Sequence, residues 1–281
     1  MTDERPDEQL SAVLLGTGNP LPDPNRAGAS TLVRAGTRTF LVDCGRGVCM
    51  RMAAAKTIPL LLEGVFLTHL HSDHICDLND VITTHWVMSQ QPATLSVFGP
   101  PGTQAVVDAC LAMLEADIGY RLAHHRDLTW RPQISVTEVS GGVILEREGL
   151  RVRAGATDHR PVDPSVGYRF EYADRAVVVA GDTVPCPGLD DLCRGADVYI
   201  QTALREDLVR SIPVQRFIDT IDYHSTVEQA ALTAAKAGVR TLVLTHQVPS
   251  PFPGTGEEWI ALARQHFSGQ IVFGEDLTTV S

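Results

Sequence analysis

The stretch FLTHLHSDHICDL, residues 66–78, gathers several metal-binding side chains directly behind an apolar run. Its candidate ligands are His69, His71, Asp73 and His74. GVFLT reads as a buried strand and ICDLNDVITTHW as a helix, so the ligands lie on a strand-to-helix loop. Histidines two apart in an extended segment point the same way, whereas Asp73 and His74 turn toward a neighbouring point. Imidazole and carboxylate are the usual ligands of hydrolytic zinc, so the pattern suits two adjacent ions better than a polar loop.

Three more candidate ligands follow apolar segments elsewhere in the chain. Asp182 ends AVVVAGD, His246 ends TLVLTH, and His159 lies in ATDHRP. Taken alone, each of these residues could equally be an ordinary aspartate in a turn or an ordinary histidine at the end of a strand. Ligands at the ends of several strands can meet at one sheet edge, so together with the first cluster they are predicted to bind metal.

The composition limits the class of protein. The 281 residues carry a net charge of −11, which argues against a broad basic surface for nucleic acid but leaves a local basic patch possible. The start MTDERPDEQL lacks the basic and apolar regions of a secretory signal, and no apolar run reaches the length of a membrane span. The six cysteines form no CxxC pair. Free thiols in the cytoplasm are therefore expected.

The apolar pattern predicts a mixture of strands and helices without a linker, and hence one domain over residues 1–281. The predicted strands are 12–16, 39–43, 64–69, 95–99, 167–172, 176–182, 197–201 and 241–246. Helices are predicted at 103–116, 225–238 and 257–267, the second with a capping box of Ser225 and Glu228. Two packed sheets with helices outside fit this order, and so does a single parallel sheet.

The order of these motifs resembles the metallo-β-lactamase superfamily: H-x-H-x-D-H after a strand, a later histidine, a GDT aspartate and a terminal strand-end histidine. Other segments resemble its tRNase Z-like branch, and the likeness covers about residues 12–250. These segments are LLGTGNPLPDPNRAGAS (14–30), FLVDCG (40–45), FGPPGT (98–103), HRPVDPSVGYR (159–169) and YHSTVEQAALTAAKAG (223–238). The resemblance implies an α+β fold, the αββα sandwich, with two zinc ions at its edge and a homodimeric assembly.

The resemblance also implies a role for each candidate ligand. His69, His71 and His159 would hold one ion, Asp73, His74 and His246 the other, and Asp182 would bridge them. A hydroxide shared by the ions would be the nucleophile, with Asp73 as a possible proton acceptor. Manganese or iron could replace zinc. Asp43 is either a partner that fixes a ligand imidazole or a simple turn residue.

A second chemical group precedes the predicted helix 225–238. By the same resemblance His224 would donate a proton to the leaving oxygen. Ser225 and Thr226 would meet a phosphate at the helix N-terminus, or Ser225 would only cap the helix. Arg26, Arg46 and Arg160 are candidate substrate contacts or ordinary surface charges.

The chain departs from the tRNase Z pattern at two places. Gln201 and Thr202 stand where the family has a histidine and the glutamate that orients the proton donor. Asp222, two residues before His224, is a candidate replacement for that glutamate. The second departure is a missing tRNA-binding arm, because only FEYADRAVVVA separates Arg169 from Gly181. Together with the acidic charge, this disfavours a tRNA substrate.

The sequence therefore predicts a di-zinc hydrolase of a small phosphodiester or similar anionic ester. Three alternatives remain open: tRNA 3′-end processing by the same chemistry, an arylsulfatase or lactonase on the same scaffold, and a protein that binds metal and ligand without turnover.

Overall fold

Two seven-stranded sheets form the framework of the computed structural model, which describes residues 9–281. Most of the N-terminal segment MTDERPDEQL, which lacks the features of a secretory signal, lies outside the described residues. The first sheet has the order β14-β1-β2-β3-β4-β5-β6. Its strands are β1 (Leu10–Gly16), β2 (Ser30–Ala35), β3 (Arg38–Val42), β4 (Leu62–Phe66), β5 (Thr94–Gly99), β6 (Gln133–Glu138) and β14 (Thr279–Val280).

The second sheet has the order β13-β12-β11-β10-β9-β8-β7. Its strands are β7 (Gly142–Arg147), β8 (Leu150–Ala156), β9 (Val166–Tyr172), β10 (Arg175–Val179), β11 (Val198–Leu204), β12 (Thr241–Val248) and β13 (Gln270–Phe273). Each sheet contains a parallel block, β3 to β6 in the first and β10 to β13 in the second. The carboxyl ends of parallel neighbours share one edge, and this edge carries the predicted ligands.

Helices cover the outer face of each sheet. They are α1 (Val48–Ala54), α2 (Ser72–Ile75), α3 (Leu78–Met88), α4 (Thr103–His124), α5 (Pro187–Cys193), α6 (Glu206–Arg210), α7 (Gln215–Ile218), α8 (Val227–Ala237) and α9 (Gly256–Arg264), with 3₁₀ turns at Pro59–Leu61 and Asp219–Tyr223. None of the helices among these residues is both long and apolar enough to cross a membrane. All six cysteines are unpaired.

Three apolar layers hold the sheets and helices together. Between the sheets, Phe66 packs edge-on against Tyr168 and Phe170, with ring centroids 5.3 Å apart in both pairs. Outside the first sheet α1, α3 and α4 bury side chains such as Met52 and Ile82. Outside the second sheet α5, α8 and α9 bury side chains such as Trp259. The αββα sandwich is therefore confirmed, and the single parallel sheet is excluded.

The helix predictions need two corrections. Helix α4 runs to His124, well past the predicted end at residue 116. The capping box of α8 consists of Thr226 and Gln229, one residue later than the predicted pair of Ser225 and Glu228. Gly238 does end this helix, in the left-handed conformation that glycine adopts without strain.

Candidate metal centre

Three histidines from two separate segments form the first group of candidate ligands. His69 Nε2 lies 3.1 Å from His71 Nδ1, and His159 Nε2 lies 3.2 Å from the same atom. His69 and His71 follow β4, and His159 follows β8 in the other sheet. The fold thus brings together residues that are 88 positions apart in sequence.

A second group lies beside the first. His246 Nε2 is 3.0 Å from Asp73 Oδ2, and His74 Nε2 is 3.6 Å from the same carboxylate oxygen. Asp73 and His74 belong to α2, whereas His246 lies near the end of β12 with a positive φ of 45°. This unusual backbone conformation for a histidine positions its ring within the group.

Asp182 lies between the two groups. Its Oδ2 atom is within 3.5–3.9 Å of the Nε2 atoms of four ring ligands: His69, His74, His159 and His246. Gly181 precedes it with φ 68°, and a Cβ atom at that position would lie 2.7 Å from the Thr68 side chain. Glycine at 181 therefore allows the chain to pass Thr68 closely and deliver the carboxylate.

These residues fit a metal ion in spacing and in chemistry. Two ligands of one tetrahedral zinc, each about 2.0–2.1 Å from the ion, lie roughly 3.3 Å apart. Within each group the observed separations are 3.0–3.9 Å. The His74 Nε2 atom is buried and has no hydrogen-bond partner within residues 9–281, although two carboxylates face it. A buried imidazole nitrogen in that position is a ready metal ligand. The site is therefore suited to divalent metal.

Outer contacts fix the orientation of the ligand rings. Asp43 Oδ2 accepts a hydrogen bond from His74 Nδ1 at 2.8 Å, and Thr68 donates to both oxygens of Asp43. His159 Nδ1 donates to the Tyr223 carbonyl at 2.8 Å. Such contacts select the tautomer whose Nε2 lone pair faces the centre. For Asp43, the geometry is that of a partner to a ligand imidazole rather than of a simple turn residue.

Burial and charge set the protonation of the groups in the metal-free chain. Burial lowers the pKa of His159 to about 4 and that of His69 well below its usual range. Burial would raise the pKa of Asp73, but its hydrogen bond with His246 and the charges of His74 and His246 outweigh this and lower it to about 2. Ionised carboxylates and neutral imidazoles are the forms that bind metal.

His74 behaves differently because carboxylates surround it. Burial would lower its pKa, but the Asp182 and Asp43 carboxylates outweigh burial and raise it well above the usual value. For His246, Asp182 and Asp73 likewise overcome burial and raise the pKa. In the metal-free chain these two rings therefore hold the protons that metal binding must release.

His224 borders the cluster and contacts two acceptors. Its Nδ1 lies 2.9 Å from the Thr220 carbonyl oxygen, and its Nε2 lies 3.2 Å from Asp182 Oδ2. Both partners are oxygen atoms that accept hydrogen bonds, and the ring lies between them. Asp222 is exposed and does not serve as its partner. The Thr220 carbonyl, and not the Asp222 carboxylate, is the group that orients the His224 ring through Nδ1.

The residues at the position of the family's histidine and glutamate have a different role in this chain. Thr202 Oγ1 donates to Asp182 Oδ1 at 2.6 Å, and Gln201 Nε2 donates to the Thr202 carbonyl. Thr202 therefore holds the central carboxylate and does not orient His224.

Three predicted substrate contacts have their polar atoms engaged within the protein, and their role toward a substrate stays a prediction. Ser225 is fully buried and its hydroxyl donates to the Thr183 carbonyl at 2.7 Å. Thr226 is the N-cap of α8 and accepts from Gln229 N. The Arg26 guanidinium donates to Thr17, Gln247 and the Gly274 carbonyl. Of the other arginines considered, Arg160 pairs with Asp158, and Arg46 lies exposed on the surface.

A cavity of about 230 Å³ opens beside the cluster. His71, Asp73, Asp182, His224 and His246 form its polar end. The remaining walls are mainly apolar, with one arginine: they are lined by Asn19, Pro20, Leu21, Arg216, Phe217, Thr220, Tyr223, Val248 and Pro249. Sequence reasoning missed Arg216 and Thr220, because neither belongs to a motif and their position depends on the path of the segment before His224.

The missing arm is visible as a tight hairpin. Strands β9 and β10 pair in antiparallel register with Tyr172 opposite Arg175, so only Ala173 and Asp174 form the turn. Both turn residues have positive φ, 50° and 59°, as in a type I′ hairpin. No insertion lies between these strands.

Comparison with known proteins identifies the family. A profile described as the beta-lactamase superfamily domain matches residues 38–247. The chain is 52% identical over 273 residues to a protein named ribonuclease Z from Mycolicibacterium paratuberculosis, covering 96% of this chain and 98% of that protein. A ribonuclease Z from Mycobacterium bovis is 54% identical with the same coverage.

Solved structures share the fold at lower identity. The short form of human tRNase Z matches with a TM-score of 0.72 and 23% identity, covering 96% of this chain and 98% of that one. The metallo-beta-lactamase fold protein YhfI from Bacillus subtilis matches with a TM-score of 0.73 and 20% identity, covering 97% and 99%. The chain thus belongs to the ribonuclease Z family of the beta-lactamase superfamily and is a metal-dependent hydrolase.

Proposed function

We propose that this protein is an endonuclease that removes the 3′ trailer of tRNA precursors by hydrolysing one phosphodiester at a centre of two zinc ions. The observation that carries hydrolysis is the convergence of six candidate ligands around the seventh, Asp182, with His224 beside them. Identity of 52–54% to proteins named ribonuclease Z supports RNA as the substrate. This reverses the order expected from the sequence, which placed a small ester first.

The missing arm does not set this chain apart from those relatives. The alignment covers 96% of this chain and 98% of the M. paratuberculosis protein, so the two have nearly the same length. A long additional arm has little room in either. The absence of the arm therefore no longer argues against an RNA substrate.

In this proposal each group of ligands holds one ion. His69, His71 and His159 would hold one, Asp73, His74 and His246 the other, and Asp182 would contact both. Bound zinc supplies a Lewis acid and lowers the pKa of water to about 7. The apolar walls of the cavity limit water around the scissile bond and so strengthen the electrostatic contacts made there.

His224 supplies the proton for the leaving oxygen. The Thr220 carbonyl orients the ring through Nδ1, which directs Nε2 at Asp182 and the cavity. Asp73, hydrogen-bonded to His246, is placed to accept a proton from the attacking water. Positioned proton transfer of this kind contributes about 10²–10⁴-fold to a rate.

The deciding experiment compares substrates under identical conditions. Zinc-loaded protein is incubated with a tRNA precursor carrying a 3′ trailer, bis-p-nitrophenyl phosphate, p-nitrophenyl sulfate and a lactone panel, with Asp182→Ala as the inactive control. We expect a cut at the trailer junction with the highest kcat/KM of the panel. Turnover of bis-p-nitrophenyl phosphate without trailer cleavage would instead support a small-phosphodiester hydrolase. Metal bound without turnover of any substrate would support a protein that binds metal and ligand without catalysis.

We also propose the homodimer that the family resemblance implies and the cytoplasmic location that the free thiols indicate. Exposed apolar side chains on α4, Met113 and Tyr120, are compatible with a subunit contact. Light scattering coupled to size exclusion measures the mass directly. A mass of one chain at micromolar concentration would contradict the dimer.

A further inference from the structure

Arg216 is an uncompensated positive charge in the wall of the cavity beside the metal centre. Its side chain has no ion pair or hydrogen bond within the described part of the chain, residues 9–281. Neighbouring arginines on the same segment are neutralised: Arg205 pairs with Asp207, and Arg210 pairs with Glu206. A free guanidinium that faces a cavity is available for an anion.

No carboxylate among residues 9–281 forms an ion pair with Arg216. Asp219, one turn further along, accepts a hydrogen bond from Gln215. The carboxylates at the polar end of the cavity, Asp73 and Asp182, are committed to the histidines of the cluster. Arg216 therefore offers a positive site separate from the metal ligands but within the same cavity.

Resting on the proposed function, we propose that Arg216 binds the phosphate next to the scissile one, so that the cavity holds one nucleoside with its two flanking phosphates. One phosphate lies at the metal ligands and the other at the guanidinium. Arginine suits this task because its planar donors match phosphate oxygens in pairs. The enzyme is then specific for polynucleotides over esters with a single phosphate.

The size and lining of the cavity fit a single nucleoside. Its volume of about 230 Å³ lies below the roughly 300–1,000 Å³ of drug-sized pockets. Leu21, Phe217 and Tyr223 provide apolar and aromatic surface in the wall of the same cavity. Aromatic side chains hold bases by stacking without selecting a sequence.

Binding of two small probes tests the proposal without turnover. Calorimetry measures the affinity of the zinc-loaded full chain for cytidine 5′-monophosphate and for cytidine 3′,5′-bisphosphate. We expect wild type to bind the bisphosphate at least about tenfold more tightly, as one charge-assisted contact allows. In Arg216→Gln the ratio should fall to near one, and Arg216→Lys should retain part of it.

Arg210→Gln is the matched control, because it removes an equal charge from the same segment outside the cavity. It should keep the wild-type ratio, and all variants should keep the wild-type zinc content. Three results would overturn the subsite: a wild-type ratio near one, an unchanged ratio in Arg216→Gln, or an equal loss in Arg210→Gln.

The trailer-cleavage assay separates this inference from the proposed function. Failure of wild type to cleave the precursor rejects the proposed function, whatever the nucleotide ratios. Cleavage by wild type combined with an unchanged ratio in Arg216→Gln rejects only the subsite. If both the proposed function and the subsite are correct, Arg216→Gln should lower kcat/KM for the precursor about tenfold. Its kcat/KM for bis-p-nitrophenyl phosphate should stay within about twofold of wild type.

Discussion

The two oxygens of Asp182 have different partners. Oδ2 faces the ring nitrogens of both ligand groups, and Oδ1 accepts the 2.6 Å hydrogen bond from Thr202. A hydroxyl at this position fixes the rotation of the carboxylate without adding a charge. Thr202, which stands where the family resemblance places a glutamate, thus contacts the central candidate ligand.

Thr202→Val tests this contact, because valine keeps the shape but removes the donor. We expect zinc affinity, measured by competition with a chromogenic chelator, to fall about 10-fold to 100-fold, the usual effect of losing a partner of a metal ligand. Thr202→Ser should restore most of the affinity. Unchanged zinc affinity in Thr202→Val would mean that the hydrogen bond does not position Asp182.

His224→Ala tests the proton donor separately from the metal. The alkoxide leaving group of RNA needs a proton, whereas p-nitrophenolate leaves without one. We expect kcat on the precursor to fall about 10²–10⁴-fold and kcat on bis-p-nitrophenyl phosphate to change much less. Zinc content by mass spectrometry should match wild type. An equal loss on both substrates would rule out the proton-donor role.

Individual residues differ in how well the sequence reveals them. The seven candidate ligands were predictable because each lies in a short motif at a strand end, and the structure brings all seven together. Their metal-binding roles stay predictions. Arg216 and Thr220 were not predictable, because only the folding of residues 206–223 over the cavity gives them a role. The partners of the Arg26 guanidinium were not predictable either, because Gln247 and Gly274 are distant in sequence.

At the scale of elements, the start of α8 shows why local pattern is insufficient. Ser225 with Glu228 and Thr226 with Gln229 both match a capping box at adjacent positions. The structure selects the second because the Ser225 hydroxyl and backbone N–H both bond to the Thr183 carbonyl. A contact 42 residues away in sequence decides the helix boundary.

The strands also differ in how well the sequence predicts them. Strand β11 was predicted from the apolar start of its sequence, as residues 197–201, and in the structure it extends to Leu204. The strands that were not predicted are β2, β6, β7, β8, β13 and β14. Of these, β6 and β7 lie at sheet edges, are only partly buried and carry weaker patterns. The fold class was nonetheless predictable, since the motif order specifies it.

The β9–β10 hairpin provides a prediction about stability. Ala173 has φ 50°, a conformation that costs an L-residue about 1–2 kcal/mol, and glycine avoids that cost at the expense of about 0.5–1 kcal/mol of chain entropy. Ala173→Gly should therefore raise the free energy of unfolding in urea by about 0.5–1 kcal/mol. Ala112→Gly on the exposed face of α4 should lower it by about 1 kcal/mol. A lower free energy of unfolding in Ala173→Gly would show that the positive φ of Ala173 does not strain the folded chain.

At the scale of the whole molecule, the candidate ligands come from both sheets. His69, His71, Asp73 and His74 follow the first sheet, whereas His159, Asp182 and His246 belong to the second. Metal bound between them would tie the two sheets together. It would bind the folded chain alone, since the candidate ligands are dispersed in the unfolded chain.

Removal of metal should therefore lower thermal stability. At free zinc about 1,000-fold above Kd, binding contributes about 4 kcal/mol, which corresponds to roughly 10 °C in Tm for a chain of this size. Calorimetric scans of zinc-loaded and chelator-treated protein should show this difference. Asp182→Ala should lose most of the shift. Equal Tm values for the loaded and stripped wild type would show that metal does not join the sheets.

The most direct test of the metal centre is an anomalous-scattering map from crystals grown with zinc and recorded on both sides of the zinc edge. We expect two peaks about 3.5–4 Å apart, one against each ligand group and both in contact with Asp182. A map with no peak at Asp182, or with ions bound only at other residues, would contradict the account.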